Sequence, residues 1–272
     1  GSNPLMQPAR RLPNMSRAQT RLPVMSALAT AYFVSGDTGL KQTSEISWAN
    51  KYIDAEELAV IVPIPESVLD DADYDIWGQV RPELEIAFGA AIAGAVLYGT
   101  NIPATWTVNL GAAGLVAGST AAGVDGVFML VEADGFAVTG SLAHMSMRGK
   151  LRNIRDINGN PIFKTSMQDS TRYELDGSPL YFPTDGSINP ATALLISGQW
   201  DQLVYSMRQD ITYKVLDQAV IQDQAGNIVY NLAQQDMVAL RAVMRLGFAL
   251  PNPINRMNQV EATRYPFAVL TA

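Results

Sequence analysis

Histidine occurs once in this 272-residue chain, at His144, and cysteine not at all. Thiolate zinc sites, iron–sulfur clusters, thiol nucleophiles and disulfide frameworks are therefore excluded, and no metal site can draw two histidines from one chain. A serine triad would have to use His144, which sits four residues before Arg148 with no neighbouring acid in sequence to orient it. Asp71, Asp73 and Asp75 alternate as the first three ligands of a calcium loop do. The match fails at the sixth and twelfth positions, where glycine and glutamate are needed and Ile76 and Pro82 stand. The acids read better as a solvated, acidic helix start. Gly111-Ala-Ala-Gly114 and Gly118-Ser-Thr-Ala-Ala-Gly123 lack the spacing and the lysine of a phosphate loop, and Ser119 is not framed as a nucleophile elbow. Trp48, Trp77, Trp106 and Trp200 stand apart from basic clusters, which leaves a base-stacking platform unsupported. No ordered set of acid, base and nucleophile emerges, so a carboxylate-dependent hydrolase is a distant alternative.

Charge is distributed in blocks. Gly1 to Gly36 carries Arg10, Arg11, Arg17 and Arg21 and no acid, a balance of +4; Asp37 to Thr100 carries twelve acids against Lys41, Lys51 and Arg81, a balance of −9. The whole chain is at −7 with a pI near 4.7, which speaks for docking between copies and against a nucleic-acid-reading surface. The arm holds Pro4, Pro8, Pro13 and Pro23, so it is expected to lie extended, and it lacks the apolar centre of a signal peptide. It begins Gly1-Ser2, compatible with proteolytic trimming or with a tag remnant. The longest apolar run, Ile86 to Leu97, is short for a bilayer span, and a soluble protein is expected.

The elements that must position these residues follow from periodicity and turn chemistry. Ala27–Val34 and Glu57–Ile64 read as strands of a long hairpin around Ser35-Gly36-Asp37-Thr38-Gly39. Its faces mix Tyr32, Lys41, Glu45, Trp48 and Tyr52, and a free hairpin of this kind buries too little to be stable by itself. A long helix is predicted from about Glu66 to Gly99, with Ile76, Val80, Leu84, Ala87, Ala91, Ala95 and Tyr98 at helical spacing and Pro82 as a kink or true start. Gly111–Val124 reads as a closely packed helix, Val127–Val131 as a strand, and Ser141–Asp156 as a helix capped by Ser141 with a basic last turn. Short strands then dominate: Leu194–Ser197, Leu203–Met207, Ile211–Val215, Ile228–Tyr230, Met237–Leu250 and Pro266–Leu270. The class is α+β, without internal repeats.

Several segments together resemble a known family. Gly36-Asp-Thr-Gly-Leu-Lys-Gln-Thr43 and Glu56-Glu-Leu-Ala-Val-Ile-Val-Pro-Ile-Pro-Glu-Ser-Val-Leu-Asp-Asp-Ala-Asp-Tyr-Asp-Ile-Trp77 are similar to the extended loop and the start of the spine helix in major capsid proteins of tailed bacteriophages. Arg208-Gln-Asp-Ile-Thr-Tyr-Lys214, Tyr230-Asn-Leu-Ala-Gln-Gln-Asp-Met-Val-Ala-Leu-Arg241 and Met244-Arg-Leu-Gly-Phe-Ala249 resemble the C-terminal half. Val131-Glu-Ala-Asp-Gly-Phe136 and Asp156-Ile-Asn-Gly-Asn-Pro-Ile162 fall in order between them.

The resemblance implies the Hong Kong 97-type capsid fold: an N-terminal arm over 1–24, an extended loop over 25–62, a peripheral domain with its spine helix over 63–101 and 230–272, and an axial domain over 102–229. It implies a structural role, in which pentamers and hexamers form the head shell around double-stranded DNA without reading its sequence. No catalytic, cofactor or metal residues follow from it. Portal, scaffold or maturation protease, and decoration proteins are the further partners, the virion is the location, and assembly takes place in the host bacterial cytoplasm. An encapsulin-type cargo shell shares the fold and is the alternative. On this reading Arg10, Arg11, Arg17 and Arg21 dock the arm, Lys41, Glu45 and Trp48 meet a neighbour through the loop, and Glu66, Asp70, Asp71 and Asp73 receive the arginines. Some members join subunits by a Lys–Asn isopeptide bond promoted by a glutamate; Asp236 and Val243 occupy those positions here, so no self-cross-linking is expected.

Overall fold

The computed structural model describes residues 5–34, 41, 43–72, 75–106, 110, 114–117, 121–155, 157–160 and 173–271. Two sheets organise it. The first has five strands in the order β1 (Arg10–Arg11), β9 (Val204–Leu216), β12 (Met237–Ala249), β3 (Ser47–Pro65) and β2 (Gln19–Ala27). The second has six, in the order β4 (Gly114–Ala117), β13 (Phe267–Thr271), β8 (Leu195–Gly198), β5 (Gly140–Ala143), β7 (Ser178–Tyr181) and β6 (Glu174–Leu175). A separate hairpin, β10 (Val220–Gln222) with β11 (Ile228–Asn231), extends from the five-stranded sheet.

The five-stranded sheet is half-exposed, and its sequence alternates accordingly. On β12, Ala242, Met244 and Leu246 enter a core shared with Leu84, Phe88 and Ile92 of the long helix α2 (Ile76–Tyr98). Arg81 of that helix holds its guanidinium 5.5 Å from the centre of the Tyr213 ring on β9. Burial raises the Tyr213 pKa, with Glu85 adding to the effect and Arg81 opposing it. Gly99 ends α2 at φ 69°, where its N–H reaches Ala95 O and the Thr100 N–H reaches Gly94 O, the glycine-terminated helix end that satisfies orphan carbonyls. The Tyr98 hydroxyl then accepts the Asn189 N–H at 2.9 Å, and burial raises its pKa.

The inner strands β13, β8 and β5 of the six-stranded sheet are covered on both faces. Leu142, Ile196, Phe267 and Val269 face the α2 core; Ala143, Leu195, Ala268 and Leu270 face a second core made with α3 (Ala121–Ala133) and α4 (Met145–Arg152). Ser141 and Ser197, both fully buried, satisfy each other at 2.7 Å. The Trp200 indole N–H donates to Gly140 O at 2.9 Å, and its ring stands edge-on to Phe267.

Several expectations are corrected. The single helix from Glu66 divides into α1 (Glu66–Asp70) and α2, and Pro82 lies inside α2. Gly111–Val124 is not one helix among its described residues: Gly114–Ala117 pairs with β13 as a sheet edge, and α3 begins at Ala121. Val127–Val131, expected as a strand, is the middle of α3. Val124, Val127, Phe128 and Val131 recur at helical spacing and are buried, so packing overrides the β-branched preference. Ser141 is not a cap but an inner strand residue; His144 caps α4, its Nδ1 accepting the Ser146 N–H at 3.2 Å, and the helix stops at Arg152. The first hairpin strand is Gln19–Ala27 and not Ala27–Val34, and the two runs at Leu203–Met207 and Ile211–Val215 are one strand with register shifts. The final strand, expected with the helix and hairpin, sits in the six-stranded sheet, whereas β9, expected with the middle of the chain, sits in the five-stranded one. Among the described residues no helix is long and apolar enough to cross a membrane.

Candidate inter-subunit surfaces

β3 is 19 residues long and belongs to two pairings. Ala55–Pro65 lies against β12, and Ser47–Asp54 lies against β2. Only the second stretch, with the segment before it, projects as a ribbon. There Trp48 and Tyr52 are exposed on the strand, and Tyr32, Phe33, Val34 and Ile46 are exposed beyond the pairing, Phe33 completely. A ribbon with this much apolar surface in water is a site for association. Lys41 and Glu45 are exposed on the same projection, while the turn over 35–40 lies outside the described residues.

The arm, expected to reach away, is instead laid on its own subunit. The N–H groups of Arg10, Leu12 and Met15 donate to the carbonyls of Leu203, Tyr205 and Met207, and β1 runs parallel to β9. Leu5, Ala9, Met15 and Val24 are buried. The apolar side chains anchor the arm, and Arg10, Arg11, Arg17 and Arg21 are left exposed around it. The acidic receivers Glu66, Asp70 and Asp71 are exposed on and just after α1, at the opposite end of the sheet from β1; Asp73 lies outside the described residues. The structure thus does not bring arm and acids together within one chain.

A strap over 251–265, unforeseen in the sequence, braces the ribbon. Ile254 N–H donates to Met25 O, Arg256 donates to Ala29 O, and Lys51 pairs with Glu261. Its root is the Arg264 side chain, only 2% exposed, which donates to Asn252 Oδ1 and O and to Asn258 O at 2.8 to 3.1 Å. Burial lowers the Arg264 pKa, opposed by Glu261 and Asp134. Asp134, after α3, accepts from Asn258 Nδ2 at 2.8 Å and from the Tyr265 N–H at 2.9 Å. The only signal in the sequence was the asparagine-rich run from Asn252 to Asn258, which marks turn chemistry without saying what it holds.

An apolar groove of about 320 Å³ runs between α2 and β3, walled by Leu58, Ala91, Ala95 and Trp106. Its titratable groups are Glu56, which accepts the Thr105 hydroxyl at 2.7 Å, and Glu57. Among the described residues no cluster of three metal-ligating side chains occurs.

The model of the phage capsid family matches residues 2–255. The major capsid protein of Staphylococcus phage 80alpha is 29% identical over 231 residues, 80% of this chain and 67% of that protein. A chain of Microbacterium phage Oxtober96 superposes with a TM-score of 0.85 at 34% identity, covering 100% of this chain and 91% of its own, and one of Mycobacterium phage Adephagia with 0.83 at 30%, covering 98% and 89%. At 19% identity the capsid of a native GTA particle shares the fold, with a TM-score of 0.66. Matched by the family model over nearly its whole length and superposing closely on these phage chains, the chain belongs to the phage capsid family and has the Hong Kong 97-type fold.

Proposed function

We propose that this chain is the major capsid protein of a tailed phage or phage-like particle, and that its copies self-assemble as pentamers and hexamers into a shell around double-stranded DNA. The observation that carries the reading is the ribbon: it bares Phe33, Trp48 and Tyr52, which its own subunit leaves uncovered, in a chain that belongs to a shell-forming family. One copy meeting several neighbours accumulates binding from contacts that are weak singly, and heterologous contacts close into rings where the rotation permits. In this role the five-stranded sheet with α2 serves as the peripheral part and the six-stranded sheet with α3 and α4 as the axial part. Lys41, Glu45 and Trp48 touch a neighbour through the ribbon. The exposed arginines Arg10, Arg11, Arg17 and Arg21 face neighbouring acids, with Glu66, Asp70, Asp71 and Asp73 as receivers. Subunits join without covalent links.

Purified protein examined by size-exclusion chromatography and negative-stain electron microscopy tests the reading: closed particles of megadalton size are expected, and a compact monomer at every concentration defeats it. Nuclease-protected duplex DNA inside particles separates a genome shell from a cargo shell. Glu45→Lys is expected to lower particle yield, and unchanged yield and particle melting would remove Glu45 from the contact. Denaturing electrophoresis of particles is expected to show one band at subunit mass; a ladder would contradict non-covalent joining.

A further inference from the structure

The face of the five-stranded sheet turned away from α2 is covered over only half its length. Since Ala242, Met244 and Leu246 point under the helix, Arg241, Val243 and Arg245 stand on this other face. Register sets Lys214 and Ile61 beside Arg241, Thr212 and Ala59 beside Val243, and Gln209 and Glu57 beside Arg245. At the far end the arm lies on the same face: Leu12 and Met15 pack with Ile53, Ala55, Val204 and Ala249, and a Cβ added at Gly247 would stand 2.9 Å from Met15 Cε. The chain itself therefore shows this face receiving a laid-on segment. On the half nearest α1, Ile61, Thr212, Lys214 and Arg241 are exposed, and Ala239 at its end is buried.

That half is electrostatically incomplete. Lys214 and Arg241 are directly opposite on neighbouring strands, both exposed, and like charges so placed repel. Neither has an ion-pair partner among the described residues. Close by, Arg245 Nε and Arg208 NH1 are buried with no hydrogen-bond partner. The complementary charge lies at the same end of the sheet on its other flank. β3 ends at Pro65, opposite Met237, and runs into α1, where Glu66, Asp70 and Asp71 are exposed. On the face turned away from α2, this end of the sheet carries Lys214 and Arg241 on the β9 and β12 strands, with exposed Asp217 and Asp236 just beyond the strand ends, while Glu66, Asp70 and Asp71 follow β3. A copy that receives a carboxylate turn on one flank still offers its own on the other, which is the condition for a contact that closes as a ring.

We infer that the bare half of this face is the docking surface for the α1 turn of a second copy, whose Glu66, Asp70 and Asp71 carboxylates meet Lys214 and Arg241. The inference rests on the self-assembly proposed above and deepens it by assigning the acidic turn to a strand pair and not to the arm alone.

A charge-swap experiment on full-length protein tests it. Lys214→Glu with Arg241→Glu, and separately Asp70→Lys with Asp71→Lys, are each expected to lower particle yield on the order of tenfold or more, the weight of a close charge pair. All four changes together are expected to restore most of it. The neutral variant Lys214→Gln with Arg241→Gln, which introduces no opposite charge, is expected to assemble weakly and with less sensitivity to salt than the wild type. The inference is overturned if the four-fold variant assembles no better than either pair. It is also overturned if the Lys214/Arg241 reversal assembles normally while Arg17→Glu does not, which would give the acidic turn to the arm. Normal assembly with loss of duplex-DNA retention would assign the face to the genome and equally overturn it. In these outcomes wild-type particles still form and the assembly reading stands; a wild type that never passes a small oligomer defeats both.

Discussion

The six-stranded sheet and the ribbon of the five-stranded one are built from similar β-prone residues and end in opposite states. In the first, every residue of β5 and β8 is buried, both faces are roofed, and even the polar pair Ser141–Ser197 is internally satisfied. In the second, Trp48 and Tyr52 are exposed on a strand that is buried only at Ile53 and Ala55, and its outer half is paired with β2 alone. One region is completed by its own chain, and the other is left for other copies to complete. Foldability of the subunit and capacity to assemble are thus housed in different sheets, and changes in the two should have separable effects.

The largest separation is expected from Leu270→Ala. Leu270 is fully buried between β8 and α3, and truncation there should cost about 2–5 kcal/mol of subunit stability in denaturant unfolding, with assembly lost as a consequence. Arg264→Met tests the junction of the two regions. It strands the Asn252 and Asn258 carbonyls and is expected to cost about 1–3 kcal/mol, with hydrogen exchange rising first over 251–265 and then along the ribbon strand. Trp48→Ala should reverse the pattern: subunit stability within about 0.5 kcal/mol of wild type, but fewer particles. A large stability loss there would show that the ribbon is not an open surface and break the contrast. The smallest effect concerns the β10–β11 hairpin. The Asn227 side chain, with the N–H groups of Asn227, Ala225 and Gly226, holds the Asp223 carboxyl below its usual pKa. A lowered folded pKa gives order that is present above the ordinary carboxylate value and is lost as pH falls through the lower one. Backbone amide shifts of 223–227 should therefore stay constant through mild acid and change only below that range, and Asp223→Ala should abolish the dependence.

How much of this was readable beforehand depended on whether a strand's neighbours were near in sequence. Met237–Leu250 and Pro266–Leu270 were legible as strands, and their alternating and unbroken apolar patterns match the half-exposed and the fully covered strand that they form. The incompleteness of the hairpin was legible too: its mixed faces offered no single side to bury. Val127–Val131 misled because β-branched residues were weighed without the helical spacing that Val124 and Phe128 complete. The anchoring of the arm was hidden since it depends on Leu203–Met207, some 190 positions away, as reflected in the Ser206 hydroxyl bond to Pro13 O with a sequence separation of 193. Arg264 was hidden likewise, its value lying in a buried fork of contacts that no spacing announces.

β3 carries one further consequence. Because a single uninterrupted strand serves both as the outer half of the ribbon and as an inner member of the sheet under α2, there is no joint between the ribbon and the sheet on which the subunit is built. Tilting the ribbon to suit a five-fold or a six-fold ring must then twist the strand along its length, so differences in local shell curvature should be written as graded torsion across the sheet and not as the swing of a hinge.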